Sequence, residues 1–589
     1  MKRLGIVSLI GATLVFVALW IFTPSSRTGS EASGSMGEGP VQTVSLDVGL
    51  DDAGVAVWHH LDEGGGFLPL SFLSALTDTK TGVSFLEALP NYGFIADPSN
   101  ELGVPIGLSV GHGSEGGGPV LIGVTCSACH SGQYTYQGTA ITIDGAPNMV
   151  DLEALFRELS LSLEETLRNP RALLAFVRQV AELEHAPESD DELFELEPDA
   201  LALLGSMVDA SEAHPHALAG EHVASAIHDA YHATDRGAAD DVIDTASESI
   251  PDAGEGGPDE GRLRSILRSV RDDLGVVKRR AERLSVLSQV FDHETEAGPG
   301  RADSFDVIWD LLVQQDAPIP MDAPVSIPHL FHYGEFRWVH WDGNTSTVLG
   351  RDYAQAIALG ADYEPSTQQT SVLPRNVMAL EAAAREFTAP VWPVEVLGPI
   401  DPELAAVGEQ AFADSCARCH SQENVIPLDE IGTDAGRAQR FAELSWQGAS
   451  YADVLKNLGD QVTAASFAAH GVTPAEVEAT RRVQDPTWRI TGGYQTRTLR
   501  GVWASAPFLH NGSVPTLWDL LQSPEARPAE FLVGREMDPH NVGVDAKNQP
   551  ESLWVFRTSE VGNGNGGHVF GTDLPDETKR AIIEYLKTL

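Results

Sequence analysis

The sequence contains four cysteines in 589 residues, and all four stand in two copies of one unit. The first copy is Cys126-Ser-Ala-Cys129-His130 and the second is Cys416-Ala-Arg-Cys419-His420. Two thiols two residues apart, followed at once by an imidazole, suit one kind of chemistry. Each thiol adds to a vinyl group of a porphyrin and becomes a thioether, and the adjacent histidine reaches the iron. The repeated unit therefore predicts two covalently bound c-type haems. Cys126, Cys129, Cys416 and Cys419 would hold them, with His130 and His420 as proximal iron ligands. Other uses of paired cysteines fit less of the pattern. A disulfide leaves the repeated histidine without a role. A zinc site built from both pairs makes it incidental. A thioredoxin-like redox pair needs a βαβ frame, which the surrounding residues do not suggest.

What such a haem does depends on its sixth coordination position. Of the 7 methionines only Met537 follows the second motif, in a polar loop. The later histidines are His470, His510, His540 and His568. His568 follows the run Gly-Asn-Gly-Asn-Gly-Gly and precedes Val569 and Phe570. Glycine lets backbone approach a flat ring closely. This makes His568 the preferred distal candidate, with His540 and Met537 as alternatives. His510 reads as pocket support. For the first haem the candidates are His59, His60, His112, His332 and His340, and none is forced.

Elements must position these groups. Leu404, Val407 and Phe412 recur at near-helical spacing just before Cys416. The C-terminus reads as a second amphipathic helix, with Asp576 and Glu577 in its first turn and Ile582, Ile583, Leu586 and Leu589 on one face. Two such helices crossing beside the haem predict a cytochrome c-like domain over 395–589. The first motif follows glycine-rich chain and precedes an alternating stretch, TAITIDG, which reads as strand or hairpin, then a helix from Asp151 to Arg168. It is assigned to an N-terminal haem domain over 46–394. The fold class expected is mainly α with much irregular loop: two cytochrome c-like haem domains, the first carrying a long acidic insertion at about 182–262. His222, His228 and His232 in that insertion read as solvated histidines on an acidic surface. Phe331, Tyr333, Phe336, Trp338 and Trp341 form an aromatic cluster. Arg337 and Arg351 are candidate partners for haem propionates.

Lys2 and Arg3 precede an uncharged apolar run from Leu4 to Phe22. The run nears bilayer length and exceeds a usual signal core. An uncleaved anchor is slightly preferred to a cleaved signal. Residues 1–23 are assigned to this segment and 24–45 to a flexible linker. Both readings export the chain, to the periplasm or beyond, with a membrane tether through residues 4–22 as one outcome. A net charge of −47 disfavours nucleic acid and anionic membrane surfaces as partners.

Several blocks carry a resemblance: GVTCSACHSGQYTYQGTAITIDGAPNMVD, GRADSFDVIWDLL, FRWVHWDGNTSTVLGRDYAQAIALGA, RTLRGVWASAPFLHNGSVPTLWDLL and GNGNGGHVFGTDL. Over about 55–180 and 295–589 the chain resembles rubber-oxygenase-like di-haem cytochromes, within the wider di-haem cytochrome c peroxidase superfamily. The acidic insertion departs from that pattern. The resemblance implies an N-terminal haem that activates oxygen or peroxide and a bis-histidine C-terminal haem, closed by His568, that relays electrons. It implies a tryptophan between the haems, with Trp338 preferred to Trp341. It implies an apolar or peroxide substrate, polyisoprene being the precedent, and a possible redox partner protein. A strict di-haem cytochrome c peroxidase and a non-enzymatic electron-transfer cytochrome are the rival expectations.

Overall fold

The computed structural model describes residues 42–112, 120–184, 281, 284–289, 295–309, 319, 322–480, 486–497, 499–549 and 554–589. The apolar segment at 4–22, its linker as far as residue 41 and the acidic insertion from 185 onward, with His222, His228 and His232, lie outside the described residues. Among the described residues no helix is long and apolar enough to cross a membrane.

The first motif sits between two small sheets. Gly66–Pro69, Val120–Val124 and Leu108–His112 form an antiparallel sheet with Val120–Val124 in the middle. The chain then turns through the short helix Cys126–His130 into a hairpin of Ser131–Tyr136 and Thr139–Asp144. Gln42–Ser45 pairs in parallel with the hairpin's second strand, which becomes the middle of a three-stranded sheet. Residues 42–45, inside the stretch read as linker, thus form a strand, because an open strand edge offers backbone groups that need partners. The helix read from Asp151 runs Leu152–Arg168, and Asp151 is its N-cap, accepting from the Ala154 N–H at 2.9 Å.

Around the second motif, helix Pro402–Ser415 crosses helix Asp576–Leu586. Asp401 caps the first, accepting from the Glu403 and Leu404 N–H groups at 3.0 Å each. Gly408 lies at the crossing. A β-carbon there would stand 1.8 Å from the Ala581 carbonyl oxygen. One turn along, Phe412 meets Tyr585 with ring centres 5.5 Å apart. The closest approach therefore needs a residue with no side chain.

The two halves interleave. One core joins Leu68, Phe156 and Phe305 to Phe441, Tyr451 and Leu455. Another joins Trp58, Tyr134 and Ile141 to Trp503, Phe531 and Ile582. Helix Val348–Ala358 packs on Tyr451–His470, with Gly350 and Gly459 facing each other. The boundary read at 394/395 is therefore not a seam in the packing. The segments starting at His332 and Gly501 also repeat one local shape. Each has a left-handed residue, a short 3-10 turn (Tyr333–Glu335, Val502–Ala504) and an isolated bridge (Val339 to Thr345, Phe508 to Val514). Each then has a left-handed glycine, Gly343 or Gly512, and a helix beginning at Val348 or Leu517. Trp341 and His510 occupy equivalent places in this repeat.

Gly408→Ala tests the crossing. Alanine favours a helix over glycine by about 1 kcal/mol, but overpacking costs about 1–3 kcal/mol and here strikes backbone rather than a movable side chain. A net loss of about 1 kcal/mol, read by urea unfolding of the haem-loaded protein, is expected. An unchanged midpoint would contradict the packing described.

Candidate haem sites

Cys416, Cys419, His420 and His568 line one cavity. Its walls are mostly apolar, with Ile426, Leu499, Val502, Phe508, Leu517 and Ile582 among them. His420 Nδ1 lies 3.0 Å from the Arg497 carbonyl. A carbonyl only accepts, so Nδ1 carries the proton and Nε2 keeps its lone pair for a metal. The ring centroids of His420 and His568 lie 6.3 Å apart, with the ring planes inclined at 53°. A metal–nitrogen bond of about 2 Å, plus roughly 1 Å from nitrogen to ring centre, puts two imidazole centroids about 6 Å apart across one metal ion. The observed spacing fits iron held between them. Burial, and then His420, pushes the His568 pKa down to about 4, and burial also lowers that of His420. Both are neutral near pH 7, which is the ligating form.

The glycine run before His568 does what its composition suggested. A β-carbon on Gly567 would stand 2.2 Å from the Gly432 carbonyl carbon, and the His568 N–H donates to the Ile431 carbonyl at 2.8 Å. The loop is thus pressed backbone to backbone onto the turn after the motif. Two residues missing from the sequence reading hold it there. Arg527 donates to the carbonyls of Gly567 and His568 at 2.9 and 3.1 Å. Asn511 Nδ2 donates to those of Gly562 and Gly564 at 3.0 and 2.9 Å. The other distal candidates lie elsewhere. His470 and His540 are exposed, and Met537 is buried in the core away from the cavity lining. His510 reaches the cavity but stacks on Tyr494, ring centres 4.0 Å apart.

The first motif is clamped from several sides. Cys126 places its N–H and Sγ 2.9 and 3.0 Å from Glu63 Oε1. Asn148 receives the Cys129 carbonyl at its own N–H (2.8 Å), and its Nδ2 donates to the Ala128 carbonyl at 2.8 Å. Gly107 lets the chain pass against the motif, since a β-carbon there would stand 2.2 Å from Ala128 Cα. Burial pushes Glu63 up to about 7, Cys129 up to about 12 and Cys126 well up. Burial, then Arg351, takes His130 down to about 3, with the nearby Pro328 carbonyl opposing. Yet Cys126, Cys129 and His130 are only half-buried by surface. Desolvation combined with residual accessible surface suits covalent attachment of a porphyrin to these side chains.

Three of the histidines considered for this site are committed elsewhere. His59 Nε2 pairs with Asp144 at 2.8 Å. His60 engages the Leu108 carbonyl and Asp97 through its two nitrogens, each at 2.9 Å. His332 meets Arg500 and the Ala389 N–H. His340 is held by Asn344 Oδ1 at 2.8 Å and lies edge-on to Phe305, ring centres 5.0 Å apart. The backbone of His112 ends a strand, and its side chain lies outside the described residues.

Trp341 lines the second cavity and donates from Nε1 to the Ser326 carbonyl at 2.7 Å. Trp338, preferred from sequence, lies instead beneath Arg489, whose guanidinium carbon is 3.6 Å from its ring centre, with Arg337 on the exposed side. The cationic cover holds it away from the cavity. Arg351 is paired with its neighbour Asp352.

The comparisons with known proteins bear on this geometry. Residues 493–532 match the family model of RoxA-like, cytochrome c-like domains. The match supports a RoxA-like relationship, and a cytochrome c-like domain points to covalent c-type haem and electron transfer. It covers Tyr494, Arg497, His510, Asn511 and Arg527, so the RoxA-like segment contributes the wall of the second cavity and the anchors of the His568 loop. Two relatives come from Sinorhizobium fredii (strain NBRC 101917 / NGR234). Uncharacterized protein y4iJ is 27% identical over 623 residues, covering 90% of each chain. Uncharacterized protein y4iM is 28% identical over 330 residues, covering 50% of this chain and 72% of its own.

His568→Ala is expected to convert the haem at Cys416–His420 from low to high spin in its visible spectrum, while His540→Ala and Met537→Leu leave it low spin. A low-spin spectrum surviving in His568→Ala would contradict the pairing. A second expectation concerns acid. Burial, then Arg437 and Arg301, pushes His510 down to about 3, against about 6.5 when unfolded. As pH falls below about 6.5 the unfolded chain takes up this proton and the folded one does not. Stability is full above that pH and is lost toward about pH 3. Between pH 7 and 5 this one group removes on the order of 2 kcal/mol. His510→Gln should flatten the acid limb of stability against pH by that amount; an unchanged slope would contradict it.

Proposed function

We propose that the chain is an exported di-haem c-type oxidoreductase in which the two sites divide the work. The observation that carries this reading is the pairing of His420 with His568 at 6.3 Å in an apolar cavity. A c-type haem supplies an iron that exchanges single electrons and, where its sixth position is open, binds oxygen or peroxide. At the second motif His420 and His568 would both hold a haem iron, which would suit storage and relay of electrons. At the first motif His59, His60 and His332 are engaged by other partners, which favours an accessible position above His130. Trp341 lines the second cavity and belongs to the segment that also carries His340. We assign to Trp341 the route between the sites.

The substrate class follows from surroundings. Phe305, Phe441, Tyr451 and Trp488 pack around His340 or one another, in the hydrophobic core against which Cys129 also packs. Such a wall removes an apolar substrate from water and disfavours charged competitors. Together with the resemblance to rubber-oxygenase-like cytochromes, this favours oxidative cleavage of an apolar polymer such as polyisoprene. One residue favours peroxidase chemistry as the second reading. His340 is a neutral imidazole in this aromatic cluster, oriented by Asn344, and a positioned imidazole is a general means of moving a proton during O–O cleavage.

The experiment pairs binding with turnover. Carbon monoxide should bind one reduced haem per chain, and that haem should be unaffected by His568→Ala. Latex with oxygen should yield carbonyl products. Oxidation of a reduced small cytochrome by hydrogen peroxide, without latex products, would move the assignment to peroxidase. Refusal of carbon monoxide by both haems would leave an electron carrier and end the enzymatic reading.

A further inference from the structure

Arg497 lines the cavity of the second motif, and its surroundings among the described residues do not account for its charge. The residue is 9% exposed. Its backbone carbonyl receives the His420 ring at 3.0 Å, and its side chain lines the cavity shared by His420 and His568. Its charge is also felt by His130, by His340 and by the buried His329, which lines the same cavity. Against these roles its partners are few. Nη2 makes one long contact, 3.5 Å, with the His340 carbonyl, and Nε has no partner. The rings of Trp341 and Phe336 lie 5.4 and 5.6 Å from the guanidinium carbon, distances at which a cation–π contact is weak. Glu423 is the nearest carboxylate felt by this charge, but its Oε1 accepts from the Arg337 N–H and from Gln495 Nε2, and it forms no ion pair with Arg497 among the described residues.

A buried cation without an anion is strongly destabilising, because desolvation is not offset. Burial here lowers even the guanidinium's affinity for its proton, to a pKa of about 10. A planar guanidinium presents a fork that matches a carboxylate in two parallel hydrogen bonds. The groups read from sequence as propionate partners do not meet this need, since Arg337 is exposed over Trp338 and Arg351 is paired with Asp352.

We propose that Arg497 binds haem propionate at the cavity of the second motif, and that its single charge sets the reduction potentials of both haems together. This inference rests on the di-haem reading above. A cation beside a haem favours the state that has gained an electron, so removing it lowers the potential. Because Arg497 lines the His420 cavity and its charge is also felt at His130, the two haems should move in the same direction.

The test is a potentiometric titration of the purified full-length protein, followed by the visible bands of each haem. Arg497→Gln should lower both midpoint potentials. Each reduction equilibrium should fall by at least tenfold, which is about 59 mV for a one-electron couple. Arg497→Met keeps the bulk without the charge and carries the same expectation should the glutamine variant not accumulate. Arg497→Lys retains a cation and should recover most of both potentials. A shift confined to one haem, or to neither, would overturn the proposal. A wild-type protein with fewer than two covalent haems per chain would instead defeat the di-haem reading, and counting haem per chain beforehand separates the two failures.

Discussion

The approach of His420 and His568, ring centres 6.3 Å apart, is the constraint that the rest of the C-terminal half serves. The two residues are far apart in sequence and must meet within a few tenths of an ångström. One is fixed by the motif turn and the Arg497 carbonyl. The other arrives on a loop that has no regular secondary structure to stiffen it. Backbone contact between Gly567 and the Gly432 turn sets its height. Arg527 and Asn511 then bind its carbonyls from outside. The helix crossing at Gly408 holds the opposite wall, so a β-carbon at that crossing acts on the same cavity from behind.

The region between the motifs is shared rather than divided. Ile327, Pro328 and His329 line the second cavity, while the Pro328 carbonyl lies near the His130 ring. Ser326 takes the Trp341 indole N–H through its carbonyl and gives its own N–H to the His510 carbonyl. A few residues of main chain therefore touch both sites. The hydrophobic cores follow the same rule, each drawing on both halves of the sequence. Such packing opposes independent motion of the two halves, because separating them would expose both cores.

Much of this was legible from residue types. The paired cysteines name their cofactor through spacing alone, and the glycine run before His568 announces close backbone contact. The helices at Pro402–Ser415 and Asp576–Leu586 follow from their apolar periodicity. Other features had no local signal. Arg527 and Asn511 act on carbonyls about 40 to 50 residues away, which no pattern records. Trp338 and Trp341 are both aromatic residues of one turn, and only the folded backbone decides which meets the cavity and which lies beneath Arg489. The repeat linking His332–Val348 to Gly501–Leu517 is carried by left-handed backbone and bridges rather than by matching side chains. Its two members share Gly343 with Gly512 and Thr347 with Thr516, too little to stand out in the sequence.

The central claim is that the two haem sites differ in coordination, one closed by His568 and one accessible above His130. Electron paramagnetic resonance of the resting protein, before and after addition of nitric oxide to the reduced form, tests it most directly. The account predicts one low-spin signal of bis-imidazole type that disappears on reduction without binding nitric oxide, and a second haem that gives a nitrosyl signal. Two nitrosyl signals of equal intensity, or none, would contradict it.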